Sequence, residues 1–531
     1  MKSYIYILAF VSIAYCSHAQ TIVPVLVADL NTGTNGQPPP PPPYQNQSTN
    51  QNQSVPHGFS LYKDKLLFVA EDSHDTTFWM YDGVNAPVKY AYPGIIMESG
   101  CYTIVDDNIY FPNRVKSGAA NSVYKWDGQN NPTFVNNVIP TDVGRQPFTF
   151  NTFTTLNGKI YFGGGDNQYN YELFVYDPST NSTQRLTQDF SQNSGMYAAS
   201  ALEQVTAFMG KIYFVASQPK YGAELFVYDP ATGNTSIVDD IHTGDGSADV
   251  HSLLVCNNKL YFTAETADRA YHLYSYDGST VQMLTTSAAG PVKYADRLSG
   301  AYKDALTYYN DKIYFSGEIN GDSRKHLCYF DTKTNQTGVA AYMDADNPDG
   351  MRYLITYQDN IVFSAPIKNR FYNTTTFIYN VTSNQLSEIP NPDDCSFFYS
   401  DYKTVYKGSL YITAYTDKYG TELFKYSLPE DSASPGHPVQ PGYTSADFNI
   451  RLMPNPANDF TKLQFNLPKD GTYGITIFDA IGQKMERRIR TYKRGVSTET
   501  FDLGAYAAGI YKVVVHNNNQ KHIWTGKLVK L

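Results

Sequence analysis

A two-run pattern recurs eight times along this chain, and such a period limits the fold more than composition could. Each copy holds a run such as Lys211-Ile212-Tyr213-Phe214, a polar stretch, and a second run such as Glu224-Leu225-Phe226-Val227-Tyr228-Asp229. The first runs start at Lys65, Asn108, Lys159, Lys211, Lys259, Lys312, Asn360 and Ser409, a pitch of about 49 residues. The runs are short, rich in Ile, Leu, Val, Tyr and Phe, and bounded by Gly, Asn, Asp or Pro, which is strand chemistry. Both alternate faces of Ile212-Tyr213-Phe214 are apolar or aromatic, so such a strand must be covered on both sides. Two weaker apolar segments lie between successive pairs, as at 235–240 and 252–255, which makes four strands per period. Four strands in 40 to 50 residues is the size of a propeller blade. The expected fold is all-β, with an eight-bladed β-propeller over residues 20–427 and seven blades as the alternative.

A ring of blades must be closed, or its end strands stay exposed as edges. Residues 22–30 resemble the strand that follows each pair, yet they precede the first pair, and the last pair ending at Tyr426 has no follower. They are therefore expected to complete the last blade. The second runs end on Asp82, Asp127, Asp177, Asp229, Asp277 and Asp331, with Asn380 and Ser427 in the last two copies. A short acceptor before a turn binds backbone amides two residues on, so turn chemistry rather than a carboxylate ring is expected. The clearest copies, Glu172-Leu173-Phe174, Glu224-Leu225-Phe226 and Glu422-Leu423-Phe424, resemble the ELW-type repeats of secreted bacterial β-propellers, with Phe in place of Trp. His272 and His326 occupy the Glu slot and read as repeat drift.

The ends of the chain carry location signals. Lys2, the apolar run from Tyr4 to Tyr15 and Ser17-His18-Ala19 read as a signal peptide over residues 1–19, cleaved between Ala19 and Gln20. The run is too short to span a bilayer, and no other segment of the sequence is long and apolar enough, so no transmembrane segment is expected in the mature chain. Cleavage leaves Cys101, Cys256, Cys328 and Cys395 without CxxC spacing, so buried thiols are expected, with one disulfide as the alternative. Residues 34–56, with Pro38 to Pro43 followed by Asn, Gln and Ser, read as a disordered insertion inside the first repeat. Residues 428–447 read as a linker.

Beyond the linker the strands alternate around Gly and Asn turns, and residues 448–531 are expected to form a small Ig-like β-sandwich. The segment Pro454-Asn455-Pro456-Ala457, the Phe478-Asp479-x-x-Gly482 turn, the Gly509-Ile510-Tyr511 strand and the terminal Lys527-Leu528-Val529-Lys530 resemble the type A C-terminal sorting domain of the Bacteroidetes type IX secretion system. That resemblance implies recognition by the type IX secretion machinery, then release or attachment at the outer cell surface. Charge divides the chain in the same place. Residues 446–531 hold 13 Lys and Arg against 7 Asp and Glu, while residues 3–445 hold 27 against 43. So acidic a body excludes nucleic acid as the expected partner.

No GxSxG, HExxH or Walker sequence is present, and Gly163-Gly164-Gly165 has no helix after it to hold a phosphate, so it reads as a blade turn. No other cofactor is indicated. The best metal candidate is calcium at Asp344, Asp346 and Asp349, clustered oxygen ligands ending on Gly350. The 46 tyrosines lie mostly inside the runs, where they would fill gaps between blades, leaving Tyr169, Tyr171, Tyr221, Tyr302 and Tyr372 as loop aromatics for a ligand. The expected function is a non-enzymatic binding or adhesion protein whose partner is a glycan or an extracellular protein. The alternatives are a secreted polysaccharide-active hydrolase or lyase with an axial site, and a structural surface component.

Overall fold

A computed structural model describes residues 23–30, 54–71, 76–92, 102–113, 122–136, 153–165, 171–188, 190, 202–295, 305–343, 350–367, 370–392, 395, 399–416, 418–428, 450–453, 457–467, 470–478, 484–493, 495–506, 509–517 and 522–530. The chain divides into two compact units, 1–428 and 429–531. Among the described residues every regular element is a strand, and no helix is long and apolar enough to cross a membrane.

The first unit is a succession of antiparallel sheets, one per sequence repeat. The first sheet joins His57–Tyr62, Lys65–Glu71, Thr76–Tyr81 and Val88–Tyr90 in chain order. The next sheets lie at 103–136, 153–185, 203–237, 251–283, 292–341 and 352–388. In the sixth, Val292–Ala295 and Thr307–Tyr309 both pair with Lys312–Ile319. The hairpin between first and second strands is tight because its residues accept positive φ, as at Lys63-Asp64, Asp106-Asp107, Asn257-Asn258 and Asn310-Asp311. The eighth sheet takes Tyr399–Tyr406, Ser409–Thr416 and Gly420–Tyr426 from the end of the unit. Its outer strand is Val25–Ala28, antiparallel to Gly420–Tyr426 with Val25 opposite Lys425 and Leu26 opposite Phe424. The closure expected from residues 22–30 is therefore present.

Packing runs around the same cycle. Second strands are buried along their length, as in Lys65–Glu71 and Lys211–Gln218, because each faces a neighbour on both sides. Phe208, Tyr213 and Leu225 of the fourth sheet pack with Leu260 and Phe262 of the fifth. Equivalent clusters link each successive pair, and Tyr406, Tyr411 and Leu423 of the eighth sheet pack on Leu66, Phe68 and Trp79 of the first. First strands of successive sheets lie against one another, as His57–Tyr62 does against Tyr399–Tyr406, so they are the inner strands of the cycle. This closed succession of antiparallel sheets, four-stranded except for the five-stranded sixth, fits a β-propeller.

The tyrosines at the ends of the inner strands reach across to the hairpin of the next sheet. Tyr62 donates to the carbonyls of Asp107 (2.8 Å) and Asp127 (2.6 Å), Tyr406 to that of Asp64 (2.8 Å), and Tyr309 to Asp359 Oδ1 (2.6 Å). Tyr62 and Tyr406 are buried and Tyr309 half-buried, and each still satisfies its hydroxyl. Three sequence readings need correction. Residues 54–56 belong to the fold rather than to the insertion: Ser54 is fully buried and donates to Glu422 Oε2 at 2.6 Å. Leu428 belongs to the first unit rather than to the linker, since its N–H donates to the Tyr357 hydroxyl at 3.0 Å. Gly163, Gly164 and Gly165 lie in the strand Lys159–Gly165, not in a turn. A Cβ at Gly163 would meet the Leu202 carbonyl oxygen at 2.6 Å, so the next sheet's approach requires glycine there.

The second unit packs two sheets on one core. Arg451–Met453, Phe460–Leu467 and Gly495–Asp502 form the first, and Lys484–Tyr492, Gly471–Phe478, Gly509–Asn517 and His522–Lys530 form the second in that order. Leu463, Phe465, Ile475, Ile477, Phe501, Val513 and Leu528 fill the space between them. Ala457 is buried, and its N–H donates to the Val529 carbonyl at 2.8 Å, tying the start of the unit to its last strand.

Candidate functional site

The turn carboxylates are occupied by turns. Asp82 Oδ1 accepts the N–H groups of Val84 and Asn85, both at 2.8 Å, and Asp127 Oδ1 accepts those of Gln129 (2.9 Å) and Asn130 (2.8 Å). The side-chain amides of Asn85 and Asn130, then these N–H groups, hold both carboxyls down at about 2. Asp177, Asp229, Asp277, Asp331 and Asn380 accept backbone N–H groups in the same way.

The Glu slot has a role that sequence reasoning missed. Glu172, Glu224 and Glu422 are almost completely buried, and each binds backbone beyond the outer strand of its own sheet. Glu172 Oε1 accepts the N–H of Phe190 (3.2 Å) and an Arg185 guanidinium N–H (3.0 Å). Glu224 Oε1 accepts the N–H of His242 at 3.0 Å, and Glu422 Oε2 accepts that of Leu30 at 3.1 Å. Glu422 thus clamps the closing strand across the whole length of the first unit. His326 does the same with a nitrogen: Nδ1 accepts the N–H of Met343 at 3.0 Å, which places the proton on Nε2, 3.2 Å from Asp322 Oδ2. His272 Nδ1 lies 2.9 Å from Thr285 Oγ1. These histidines hold structure, and the recurring Glu-Leu-Phe triplet was the signal that could have revealed the slot.

Aromatic and titratable side chains also gather where the inner strands begin, with Tyr402 partly exposed and Tyr353, His57 and Lys403 buried. Most of these strands start with a β-bulge, seen as a register shift at His57/Ser60, Glu203/Thr206, His251/Leu254, Arg352/Ile355 and Ser400/Lys403. Gly58, Gln204, Ser252 and Tyr353 take positive φ there. Bulges re-aim side chains at the rim of a sheet system. Across the seventh, eighth and first sheets they line up an aromatic row. Tyr353 and Tyr402 have ring centroids 4.9 Å apart, and Tyr402 and His57 5.6 Å. Lys403 Nζ is 5.6 Å from the Tyr353 ring centre and donates to Ser364 Oγ. His57 is lowered in pKa by burial, and its Nδ1 donates to the Val55 carbonyl at 2.6 Å, which leaves Nε2 as an acceptor.

The fifth sheet carries a second, more polar group at the same end. The Tyr271 hydroxyl donates to Asp249 Oδ2 and lies 3.3 Å from Glu265 Oε2. Asp249 Oδ1 is 3.1 Å from His251 Nε2, close enough for ion pairing but off line for a hydrogen bond. Asp249 and Ser252 flank His251 with positive φ.

The sequence-based candidates fall outside these groups. Tyr221 packs into the cluster between the third and fourth sheets, with Lys220 Nζ 4.5 Å from its ring centre. Tyr169, Tyr302 and the side chains of Tyr171 and Tyr372 lie outside the described residues, as do Asp344, Asp346 and Asp349, Ala19 and Gln20, and Cys101. Among the described residues no three His, Cys, Asp or Glu side chains are placed to hold a metal ion. Burial pushes the Cys256 thiol up to about 12 and Cys328 upward as well, so neither is reactive. Of the sorting-motif residues, Ala457 and Tyr511 are in the core, Gly509 opens the third strand of its sheet, and Lys527 and Lys530 lie in the last strand. Pro454, Asn455, Pro456, Asp479 and Gly482 lie outside the described residues.

Comparison with known proteins bears on the second unit. A puromycin-hydrolysing peptidase of Mycobacterium tuberculosis aligns with 68% of this chain and 57% of its own at 10% identity and a TM-score of 0.44. The chain thus spans little more than half of that structure. A fungal alcohol oxidase of the AA5 family, in complex with copper, aligns with 90% of this chain and 96% of its own at 12% identity and a TM-score of 0.41. At these values neither carries an argument about this protein. No curated protein matches. Residues 451–530, in contrast, match the secretion system C-terminal sorting domain family. The second unit is therefore a type IX secretion C-terminal sorting domain, and it marks the chain as cargo for export to the cell surface or the medium.

Proposed function

We propose that this protein is a non-enzymatic binding or adhesion protein, exported through the type IX secretion system, whose eight-bladed propeller meets a glycan or an extracellular protein. A signal peptide ending at Ala19 starts the route, and an Ig-like sorting domain completes it. The observation that carries the binding reading is the row Tyr353, Tyr402 and His57 on neighbouring inner strands, in which the partly exposed Tyr402 ring is held between the buried rings of Tyr353 and His57, tilted to it by 50° and 34°, with the buried Lys403 beside Tyr353. A partly exposed ring such as Tyr402 stacks on a sugar face or on an aromatic side chain, and the buried rings on either side fix its orientation. The purified mature chain on a glycan array tests the reading: binding should be lost in Tyr402→Ala and kept in the distant Tyr221→Ala. An empty array, together with no captured protein partner that depends on Tyr402, would count against it.

A specific observation favours a second reading, a polysaccharide-active hydrolase or lyase. Asp249, His251, Glu265 and Tyr271 bring acid, base and hydroxyl groups together at the same end of the inner strands. Turnover of a chromogenic glycoside panel that disappears in Tyr271→Phe would replace the binding reading with this one.

A further inference from the structure

One face of the four-stranded sheet in the sorting domain is both apolar and basic. Register defines it: Thr476 lies opposite Arg487, Gly474 opposite Ile489, and Gly474 also opposite His516. Phe478 lies opposite Lys512, and Lys512 opposite Lys527. The alternate positions, Tyr473, Ile475, Ile477, Val513 and Val515, point into the core, so Thr476, Arg487, Ile489, His516, Phe478 and Lys512 point away from it.

Two properties separate this outer face from an ordinary solvated one. It exposes large apolar side chains on an edge strand, with Ile489 57% and Met485 40% accessible, beside the half-buried Phe478 and Val514. Among the described residues of its four strands it also carries no carboxylate. Glu486 is the only acidic residue in the four strands, and it sits on the core side, where it binds Arg488 Nε at 2.7 Å. Arg487 and Lys512 are exposed on the outer side. Arg487 reaches to 3.5 Å from His516 Nε2, and His516 lies across Gly474, where a Cβ would meet its ring at 2.3 Å. The glycine lets the face stay flat. Apolar anchors ringed by cations suit a partner of opposite design, in which carboxylates surround an apolar patch.

The geometry points to this face, centred on Ile489 and bounded by Arg487 and Lys512, as the surface by which the sorting domain docks on an acidic protein of the export machinery. This rests on the sorting-domain reading of residues 451–530, and it adds which side of the domain is read. Charge complementarity selects an acidic occupant, since Arg487 and Lys512 stand exposed beside Ile489, and the family match of residues 451–530 supplies the export machinery as its source.

The test uses the full-length chain in a host with an active type IX system. Ile489→Asp and Lys512→Glu should each leave the melting temperature of the purified protein unchanged while lowering the exported fraction about tenfold, the loss expected from one central anchor or paired charge. Lys462→Glu, an exposed lysine on the other sheet, should export normally. Normal export of both face variants would overturn the proposal. So would export loss matched by lost binding of the purified chain to vesicles containing anionic lipid or lipopolysaccharide, because the occupant would then be a membrane surface. A chain lacking residues 451–530 separates the two levels: if it is exported, the sorting reading itself fails, whereas if it is retained and the face variants are exported, only the docking face fails.

Discussion

Glu224 makes the stability of the propeller unit fall as pH rises. Its side chain is fully buried at the start of the third strand of the fourth sheet, Oε1 accepts one N–H from His242, and Oε2 has no hydrogen-bond partner. Burial, opposed by the amides of His242 and Ile241 and reinforced by Asp240 and Asp239, pushes its pKa up to about 8 from 4.5. The folded state therefore holds a proton that the unfolded chain releases. The sign follows: stability contributed by this group is greatest below pH 4.5, declines through the window between 4.5 and 8, and is fully lost above it. The slope is about 1.4 kcal/mol per pH unit, and the whole window corresponds to at most about 5 kcal/mol. Glu224→Gln keeps the acceptor for His242 and cannot ionise. It should match the wild type to within about 2 kcal/mol near pH 5, where both carry a buried N–H or O–H without an acceptor. By pH 8.5 it should be the more stable protein by about 2 to 4 kcal/mol. Urea midpoints of the mature chain and the variant at pH 5, 7 and 8.5 decide it. Parallel curves across that range would refute the reasoning, because the only difference between the proteins is the ionisable group.

Three further outcomes follow from the same geometry. Glu422→Ala removes the acceptor of the Leu30 N–H and of Ser54, and should cost about 2 to 4 kcal/mol while opening 25–28 to fast hydrogen exchange; deletion of residues 21–31 should lower the melting temperature further. Asp127→Ala should loosen its turn and Asp127→Asn should loosen it less, because an amide oxygen still accepts the Gln129 and Asn130 N–H groups while the acceptor for the Asn130 side-chain amide is lost, as read by local hydrogen exchange. The carboxyl sits at about 2 against an ordinary 3.8, so its support is complete above 3.8 and lost as pH falls through about 2. In the sorting domain, Glu499 is buried and accepts Arg488 (3.0 Å), Arg490 (3.0 Å) and Tyr492 (2.9 Å) from the facing sheet, so Glu499→Gln should destabilise that unit by about 3 kcal/mol in a denaturant titration.

Much of the architecture was legible in the sequence because it is written in local chemistry. Runs such as Lys211 to Phe214 alternate in a way only a doubly covered strand can use, Asp127 and its equivalents announce their turns, and the orphan strand at 25–28 reveals the closing pair. The sorting motif was legible because several of its residues occur in fixed order. The candidate ligand groups were not. Tyr353, Tyr402 and His57 are far apart in the chain and meet only because bulges turn three inner strands toward one another. The Glu slot was visible as a pattern but not as a clamp, since its partners come from backbone that carries no sequence signature.

The sequence by itself determined the period, the strand chemistry, the turns and the export tail, because each depends on residues within a few positions of one another. Tertiary structure alone decided that Glu224 would be buried with one oxygen unsatisfied, that Glu422 would hold Leu30 from the other end of the unit, and that Ile489 would stand exposed beside Arg487 on one face of the tail. Those are properties of dielectric and proximity, and they come into being only when distant segments exclude water from the same place.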